Sequence, residues 1–232
     1  MKALLNKELR LCLHPTVFIY LALVLMLLIP NYPYLVACFF LCNAVFFVFQ
    51  SSRENGDPLY TAMLPVSKAQ AVKARCLFVV LLQSAEILLM AGMCALSPVA
   101  MDGTNAGGTD HSLSLLAFAL ILFAIFNLIF LPSFYKTGYK AGAAFLKGAI
   151  GVWIWIVLAE GTMIATRIIT VEKGLDIPFF RFVADNIDCF PATKEAWTVQ
   201  AILFGAALLI YVLGTLLAVR LSVRRYGRVD VQ

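Results

Sequence analysis

Long apolar segments separated by short polar ones run along the whole chain of 232 residues. A helix needs about 20 apolar residues to cross the hydrocarbon core of a membrane. Six segments approach or reach that length: Thr16–Ile29, Tyr34–Phe49, Cys76–Leu96, Leu113–Phe134, Ala141–Ala165 and Val199–Val219. The first two are slightly short and are separated by a tight Pro-Asn-Tyr-Pro turn, which predicts a helical hairpin over 16–49. The pattern predicts an all-α integral membrane protein with a single transmembrane domain over 1–232 and six transmembrane helices.

The composition supports this prediction. Hydrophobic residues make up 62% of the chain and charged residues only 13%, whereas soluble globular domains carry about 25% charged residues. So few charges do not cover a water-facing surface of this size. A soluble protein is therefore excluded.

The distribution of basic residues predicts the orientation. If the N-terminus is cytoplasmic, 14 of the 18 Lys and Arg residues fall on the cytoplasmic side, as the positive-inside rule requires. Both termini are then cytoplasmic, with a cytoplasmic segment over 53–75, a tail over 220–232 and one large extracellular loop over 166–198. Residues 1–14 have basic and apolar faces typical of an interfacial helix, or they form the cytoplasmic end of the first span. A multi-pass protein of a membrane that borders the cytoplasm is expected.

The segment "RENGDPLYTAMLPVSKAQAVKAR" (Arg53 to Arg75) is polar and still has the signals of two helices. Asn55 and Gly56 favour a turn, and Asp57 before a proline is a good N-cap. A short helix follows, whose apolar face consists of Leu59, Tyr60, Met63 and Leu64. Ser67 and Gln70 have the spacing of a capping box, which predicts a second helix that continues into the third span.

That second helix, counted from Ser67 to Leu96, would be about 45 Å long. It is longer than the membrane is thick, so it would hold the short helix in the cytoplasm. The short helix by itself would be marginal in water, and it does not bury its own apolar face. The pattern therefore predicts a docking partner for the short helix. The alternative is that it folds back on the inner surface of the same chain.

These features resemble the permease (transmembrane) subunit of a bacterial ATP-binding-cassette transporter of the ABC-type-2 exporter class. The resemblance is carried by "MKALLNKELRLCLHP" at the N-terminus, the two-span hairpin, and the segment after it with its Leu-Pro-x-Ser-Lys sequence. It implies that the short helix is a coupling helix that contacts a separate ATPase subunit. The residues implied in that contact are Glu54, Asp57, Leu59, Tyr60, Met63 and Leu64.

The resemblance also implies the partners. Two ATPase subunits with their ATP and Mg, and a second permease copy as homodimer or related heterodimer, would complete the transporter. This chain has no Gly-x4-Gly-Lys-Ser/Thr phosphate-binding loop, so it is not expected to be an enzyme or to hold a cofactor. No nucleic-acid partner is expected. The substrate implied is amphiphilic, such as a peptide or an antimicrobial compound.

Four polar residues within the spans are candidates for the translocation path: Asn43, Gln83, Glu86 and Asn127. A carboxyl group at mid-membrane is costly and is by default a functional candidate. The alternative is an interhelical hydrogen-bond cluster with no role in transport. Glu160 lies nearer the outer end of span five, where we expect it to reach the interface.

Other classes of protein fit less well. The two histidines, His14 and His111, fall on opposite sides of the membrane, and the six cysteines lack the spacing of metal ligands. We therefore expect no catalytic or metal site. A non-transporting membrane partner, such as an immunity or sensor subunit, and a secondary transporter stay as alternatives to the exporter.

Overall fold

The computed structural model describes residues 2–12, 15–100, 105, 107–137, 140–188 and 193–228. Every regular element in these ranges is helical. The helices are α1 (Lys2–Lys7), α2 (Thr16–Ala22), α3 (Leu35–Glu54), α4 (Asp57–Met63), α5 (Lys68–Ala100), α6 (Leu113–Thr137), α7 (Ala141–Arg167), α8 (Pro178–Asn186) and α9 (Lys194–Tyr226). Short π-helical turns follow α1 (Glu8–Cys12) and α7 (Ile168–Glu172), and a 3-10 helix (Leu23–Leu28) follows α2.

Five helices are long and apolar enough to cross a membrane: α3, α5, α6, α7 with the turn after it, and α9. The predicted first span is shorter than these five, since its apolar helix runs only from Thr16 to Leu28. With 1.5 Å per residue in its α-helical part and 2.0 Å in its 3-10 part, it is about 22 Å long. The hydrocarbon core is about 30 Å thick. The length of this segment alone therefore does not establish a sixth span.

The contacts of α3 define the two ends of the helix bundle. At the start of α3, the Leu35 N–H donates to the Glu160 carboxylate at 2.9 Å. Near its other end, Ser52 accepts a hydrogen bond from Arg75 at 2.6 Å. We call these the α8 end and the α4 end of the bundle. Lys7, which precedes Thr16–Leu28, contacts Asp57 at the α4 end, and the Leu27 carbonyl contacts His111 at the α8 end, so the chain passes from one end to the other between these two contacts.

The core lies where α6 packs between α7 and α9. A Cβ atom at Gly148 would be 3.2 Å from the Phe126 ring, and one at Gly151 would be 2.7 Å from Ile129. These two glycines therefore allow α6 and α7 to pack closely within one chain. At Gly142, by contrast, nothing lies within 4 Å of a Cβ atom.

Buried acids organise the α8 end. Glu160 was expected to reach the membrane–water interface, but it is buried. Its carboxylate accepts hydrogen bonds from Leu35 N–H at 2.9 Å and Thr109 N–H at 2.6 Å. Close by, Arg167 pairs with Asp188 at 2.8 Å and with Asp110 at 3.1 Å. Burial raises the pKa of Asp188, although Arg167 opposes that shift. The segment 105–112 is thereby tied to α3, α7 and the loop after α8. Cys189, the cysteine within the predicted extracellular loop over 166–198, lies outside the described residues.

Candidate functional site

The short helix predicted between the second and third apolar segments is α4, and it is oriented with its apolar side outward. Leu59 is 50% exposed, Tyr60 53% and Met63 83%. We call these three residues the α4 apolar face. Leu64, predicted to share it, is half-buried and follows the helix as its extended C-cap. The alternative that α4 folds its apolar side onto its own chain is therefore wrong in this structure.

The polar side of α4 is held by an ionic cluster of Lys7, Glu8, Asp57 and Arg75. Arg75 donates to Glu8 at 2.7 Å and to Asp57 at 2.6 Å. Lys7 lies 2.5 Å from Asp57 and 3.3 Å from Glu8. These four side chains are only 5–13% exposed, and their formal charges cancel. The cluster therefore joins the N-terminal segment, α4 and α5 in one buried contact.

Hydroxyl groups and an aromatic ring complete the surroundings of the ionic cluster. Ser52 at the end of α3 donates to Asp57 at 3.0 Å, and Thr61 of α4 accepts from Lys7 at 2.7 Å. The Arg75 guanidinium lies 5.5 Å from the centroid of the Phe49 ring. A small cavity beside the cluster is lined further by Phe134, Tyr135 and Tyr226. The α4 end of the bundle is therefore closed around Arg75.

The prediction that Asp57 is the N-cap of α4 is wrong. The N-cap is Gly56, whose φ of 68° lies in the left-handed region that glycine tolerates. The Asp57 side chain is used by Arg75 and Lys7, whose positive charges bind a carboxylate more strongly than a backbone N–H does. The other predicted capping signal is confirmed, since Ser67 and Gln70 exchange hydrogen bonds of 3.2 and 3.1 Å at the start of α5. Glu54 is exposed and accepts from Gln50 at 3.1 Å.

The ionic cluster predicts a response to acid. Burial alone would raise the pKa of Asp57, but Arg75 and Lys7 together lower it below the ordinary value of 3.8. A lowered pKa gives stability that is present above the unfolded pKa and lost as the pH falls through the folded one. Amide exchange of α4, corrected for intrinsic rates, should therefore stay slow from pH 7 to about 4 and accelerate only below 3.8.

Hydrogen–deuterium exchange with mass spectrometry measures this response. In the Asp57→Asn variant, which keeps the size of the side chain and removes its charge, exchange of α4 should already be fast at pH 7. Acceleration in the wild type between pH 7 and 5 would contradict the role given to Asp57.

The four residues predicted for a translocation path fall into three environments. Gln83 and Asn127 exchange two hydrogen bonds of 2.9 Å. Tyr211 donates to Gln83 at 2.8 Å, and Asn127 donates to Thr215 at 3.1 Å. We call these four residues the polar cluster. It matches the interhelical hydrogen-bond alternative, and it joins α5, α6 and α9 beside a groove of about 240 Å³.

Asn43 and Glu86 do not join the polar cluster. Asn43 is half-buried and donates to the Phe39 carbonyl of its own helix at 3.1 Å. Glu86 is 0% exposed, and neither of its carboxylate oxygens has a hydrogen-bond partner in the described part of the chain. Among the described residues, Glu86 is the one of the four candidates whose buried side-chain oxygens have no hydrogen-bond partner.

Sequence reasoning missed several of these residues. In the sequence, Lys7 and Arg75 count only among the basic residues of the cytoplasmic side, and Glu8 gives no signal of its own. Tyr211 and Thr215 lie four residues apart in an apolar helix, which is the spacing of a shared polar face. Among the described residues, no group of three or more His, Cys, Asp or Glu side chains is arranged to hold a metal ion.

Comparison with known proteins places the chain in a family. The model of the family described as "ABC-2 family transporter protein" matches residues 3–222. This range includes α4, the ionic cluster, the long helices α3, α5, α6 and α7, and α9 as far as residue 222. No curated protein and no solved structure matches significantly. Since the match covers nearly the whole sequence, the chain is a multi-pass membrane protein that belongs to the ABC-2 family of transporter proteins.

Proposed function

We propose that this chain is the permease subunit of an ATP-driven exporter in a bacterial cytoplasmic membrane, and that α4 is its coupling helix. The observation that carries the proposal is the orientation of α4. Its apolar face is 50–83% exposed at the tip of the bundle, while its polar side is held by the buried ionic cluster. An exposed apolar patch of this kind is typical of a protein interaction site.

The proposed partner at α4 is an ATPase subunit. The α4 end is assigned to the cytoplasm because 14 of the 18 basic residues then lie on that side. In this orientation, Thr16–Leu28 serves as the sixth membrane-crossing segment, since it connects the two ends of the bundle. The chain itself would bind no nucleotide, and ATP and Mg would be held by the ATPase.

The ionic cluster suggests how a docked ATPase would act on the spans. Asp57 of α4 is bonded to Arg75, which lies in the first two turns of α5. Movement of α4 would therefore be passed directly to α5, and through Lys7 and Glu8 to the N-terminal segment. A second permease copy, identical or related, would supply the other half of the path. The substrate proposed is amphiphilic, such as a peptide or an antimicrobial compound.

The test is co-purification of the full chain with a candidate ATPase after charge is placed on the α4 apolar face. The variant Leu59→Asp/Met63→Asp should retain at least about tenfold less ATPase than the wild type, because burying two carboxylates at a docking surface is costly. The matched control is Phe179→Asp/Phe182→Asp, which alters two exposed apolar residues of the short helix at the opposite end. It should retain the ATPase.

Equal retention of the ATPase by the α4 variant and the wild type would overturn the role of α4. Absence of any ATPase from the wild type would overturn the exporter proposal and favour a non-transporting membrane partner.

A further inference from the structure

Glu86 is fully buried in the bundle and has no hydrogen-bond partner among the described residues. It lies eleven residues after Arg75 on α5, which is about 16 Å farther along the helix. The side chain is 0% exposed, and both of its oxygens lack a hydrogen-bond donor among the described residues. None of the ion pairs found in the described ranges includes it.

The surroundings of Glu86 are apolar or weakly polar. Met90, one turn farther on the same face of α5, lies 3.4 Å from the Cys38 thiol of α3. The thiols of Cys38 and Cys42 are the titratable groups that interact with Glu86 from α3. The 3-10 segment Leu23–Leu28, which also packs on α5, consists of apolar residues alone. The polar groups of α6 and α9 nearest in depth, Asn127 and Tyr211, are bonded to Gln83.

This environment fixes the chemical state of Glu86. An ionised carboxylate without donors or a counter-ion is strongly disfavoured in an apolar interior. Glu86 therefore carries its proton while α3 and α5 are packed together. It ionises only when a positive charge or water arrives, because either one replaces the missing partner.

Glu160 is a buried acid of the same membrane domain whose carboxylate does have hydrogen-bond donors. It is also buried, yet it accepts hydrogen bonds from Leu35 N–H and from both the N–H and the hydroxyl of Thr109. Glu160 thus has a structural role that Glu86 lacks. An intramembrane acid that stabilises nothing in the resting structure is expected to act on a ligand.

We infer that Glu86, at the seam between α3 and α5, binds the cationic group of an amphiphilic substrate. This inference rests on the proposed function and narrows its substrate class to amphiphiles that carry a positive charge. When the cation arrives, the Glu86 carboxyl releases one proton to solvent and forms an ion pair, so the net charge of the site does not change. Binding therefore strengthens by about tenfold for each pH unit while Glu86 starts protonated.

The test is equilibrium binding of tetraphenylphosphonium to the purified full chain in detergent, between pH 5.5 and 8.5. Tetraphenylborate, an anion of the same shape, is the ligand control. We expect the wild type to bind the cation in preference to the anion and more tightly as the pH rises. The Glu86→Gln variant, which keeps size and removes the charge, should lose at least tenfold in affinity and all of the pH dependence.

Two further variants separate binding from folding. Glu86→Asp should retain pH-dependent binding of the cation, and Glu160→Gln, which alters the other intramembrane acid, should leave the affinity unchanged. Cation binding by Glu86→Gln at wild-type strength, or no preference of the wild type for the cation, would overturn the inference. Either result leaves the co-purification of the ATPase unaffected, so failure of this inference is distinct from failure of the exporter proposal.

Discussion

Replacing Arg75 with alanine is expected to lower the free energy of unfolding by about 3–5 kcal/mol, because removal of one partner leaves buried charges uncompensated. Arg75 is the common partner of Glu8 and Asp57, at 2.7 and 2.6 Å. Without it, two carboxylates share a single lysine in a site that is nearly closed to water. The loss should be larger at neutral pH than in acid, because the lowered pKa of Asp57 keeps its carboxylate ionised at neutral pH.

Unfolding in mixed micelles by titration with sodium dodecyl sulfate measures this loss. Lys73→Ala is the matched control, since Lys73 is a base of the same helix with an exposed side chain, and it should change stability by no more than about 0.5 kcal/mol. A double variant, Arg75→Leu with Asp57→Asn, should be less destabilised than Arg75→Ala, because the remaining charges of the cluster, Lys7 and Glu8, still form an ion pair. Equal stability of Arg75→Ala and Lys73→Ala would contradict the buried ionic cluster.

Replacing Glu160 with leucine is expected to cost about 2–5 kcal/mol, since each buried donor left unsatisfied costs about 1–3 kcal/mol. The carboxylate accepts from Leu35 N–H at 2.9 Å and from Thr109 N–H at 2.6 Å. Both donors belong to backbone that has no other side-chain acceptor in the described contacts. The start of α3 and the segment 105–112 should therefore loosen together.

The conservative variant Glu160→Gln keeps one oxygen acceptor and should lose clearly less stability than Glu160→Leu. Hydrogen exchange locates the effect, which should appear at 35–38 and 107–112 and leave α4 protected. A loss of protection spread evenly over the chain would mean that Glu160 stabilises the bundle as a whole and does not anchor these two segments.

The helices themselves were predictable because each membrane helix follows from its own run of apolar residues. A run of apolar residues must form a helix in lipid, since its backbone groups have no water to bond. The capping box at Ser67 and Gln70 and the short helix ending at Met63 follow equally from local signals. The bounds of the first apolar segment were predicted to within one residue. Hydrophobicity did not report that its residues 23–28 form a 3-10 helix.

The contacts around Arg75 were not predictable from spacing. Glu8 lies 67 residues from it and Asp57 lies 18 residues away. Glu8 reaches Arg75 because α1 and the π-helical turn after it pack against α5, and Asp57 reaches it because α4 folds back beside α5. The same packing decides the fate of Asp57. Its local sequence favours an N-cap, but two positive charges nearby bind its carboxylate instead, and Gly56 takes the cap position.

Within the spans, the sequence identified polar residues and left their pairing open. Gln83 and Asn127 have equal depth, and the structure joins them; Asn43 has similar depth but bonds to its own helix. Whether such a residue bonds to another helix or to its own depends on how its helix is rotated about its axis. An apolar segment without a polar face gives no signal of that rotation. The isolation of Glu86 is visible only once its neighbours on α3 are known.

The outward orientation of α4 has a consequence for the supply of the protein in the cell. A copy that has not yet assembled presents Leu59, Tyr60 and Met63 to the aqueous phase, because their polar neighbours are already engaged inside the bundle. Proteases and chaperones of the quality-control machinery recognise such apolar side chains. On the proposed assembly, the steady-state amount of permease would therefore follow the amount of ATPase synthesised with it, and an excess of permease would not accumulate.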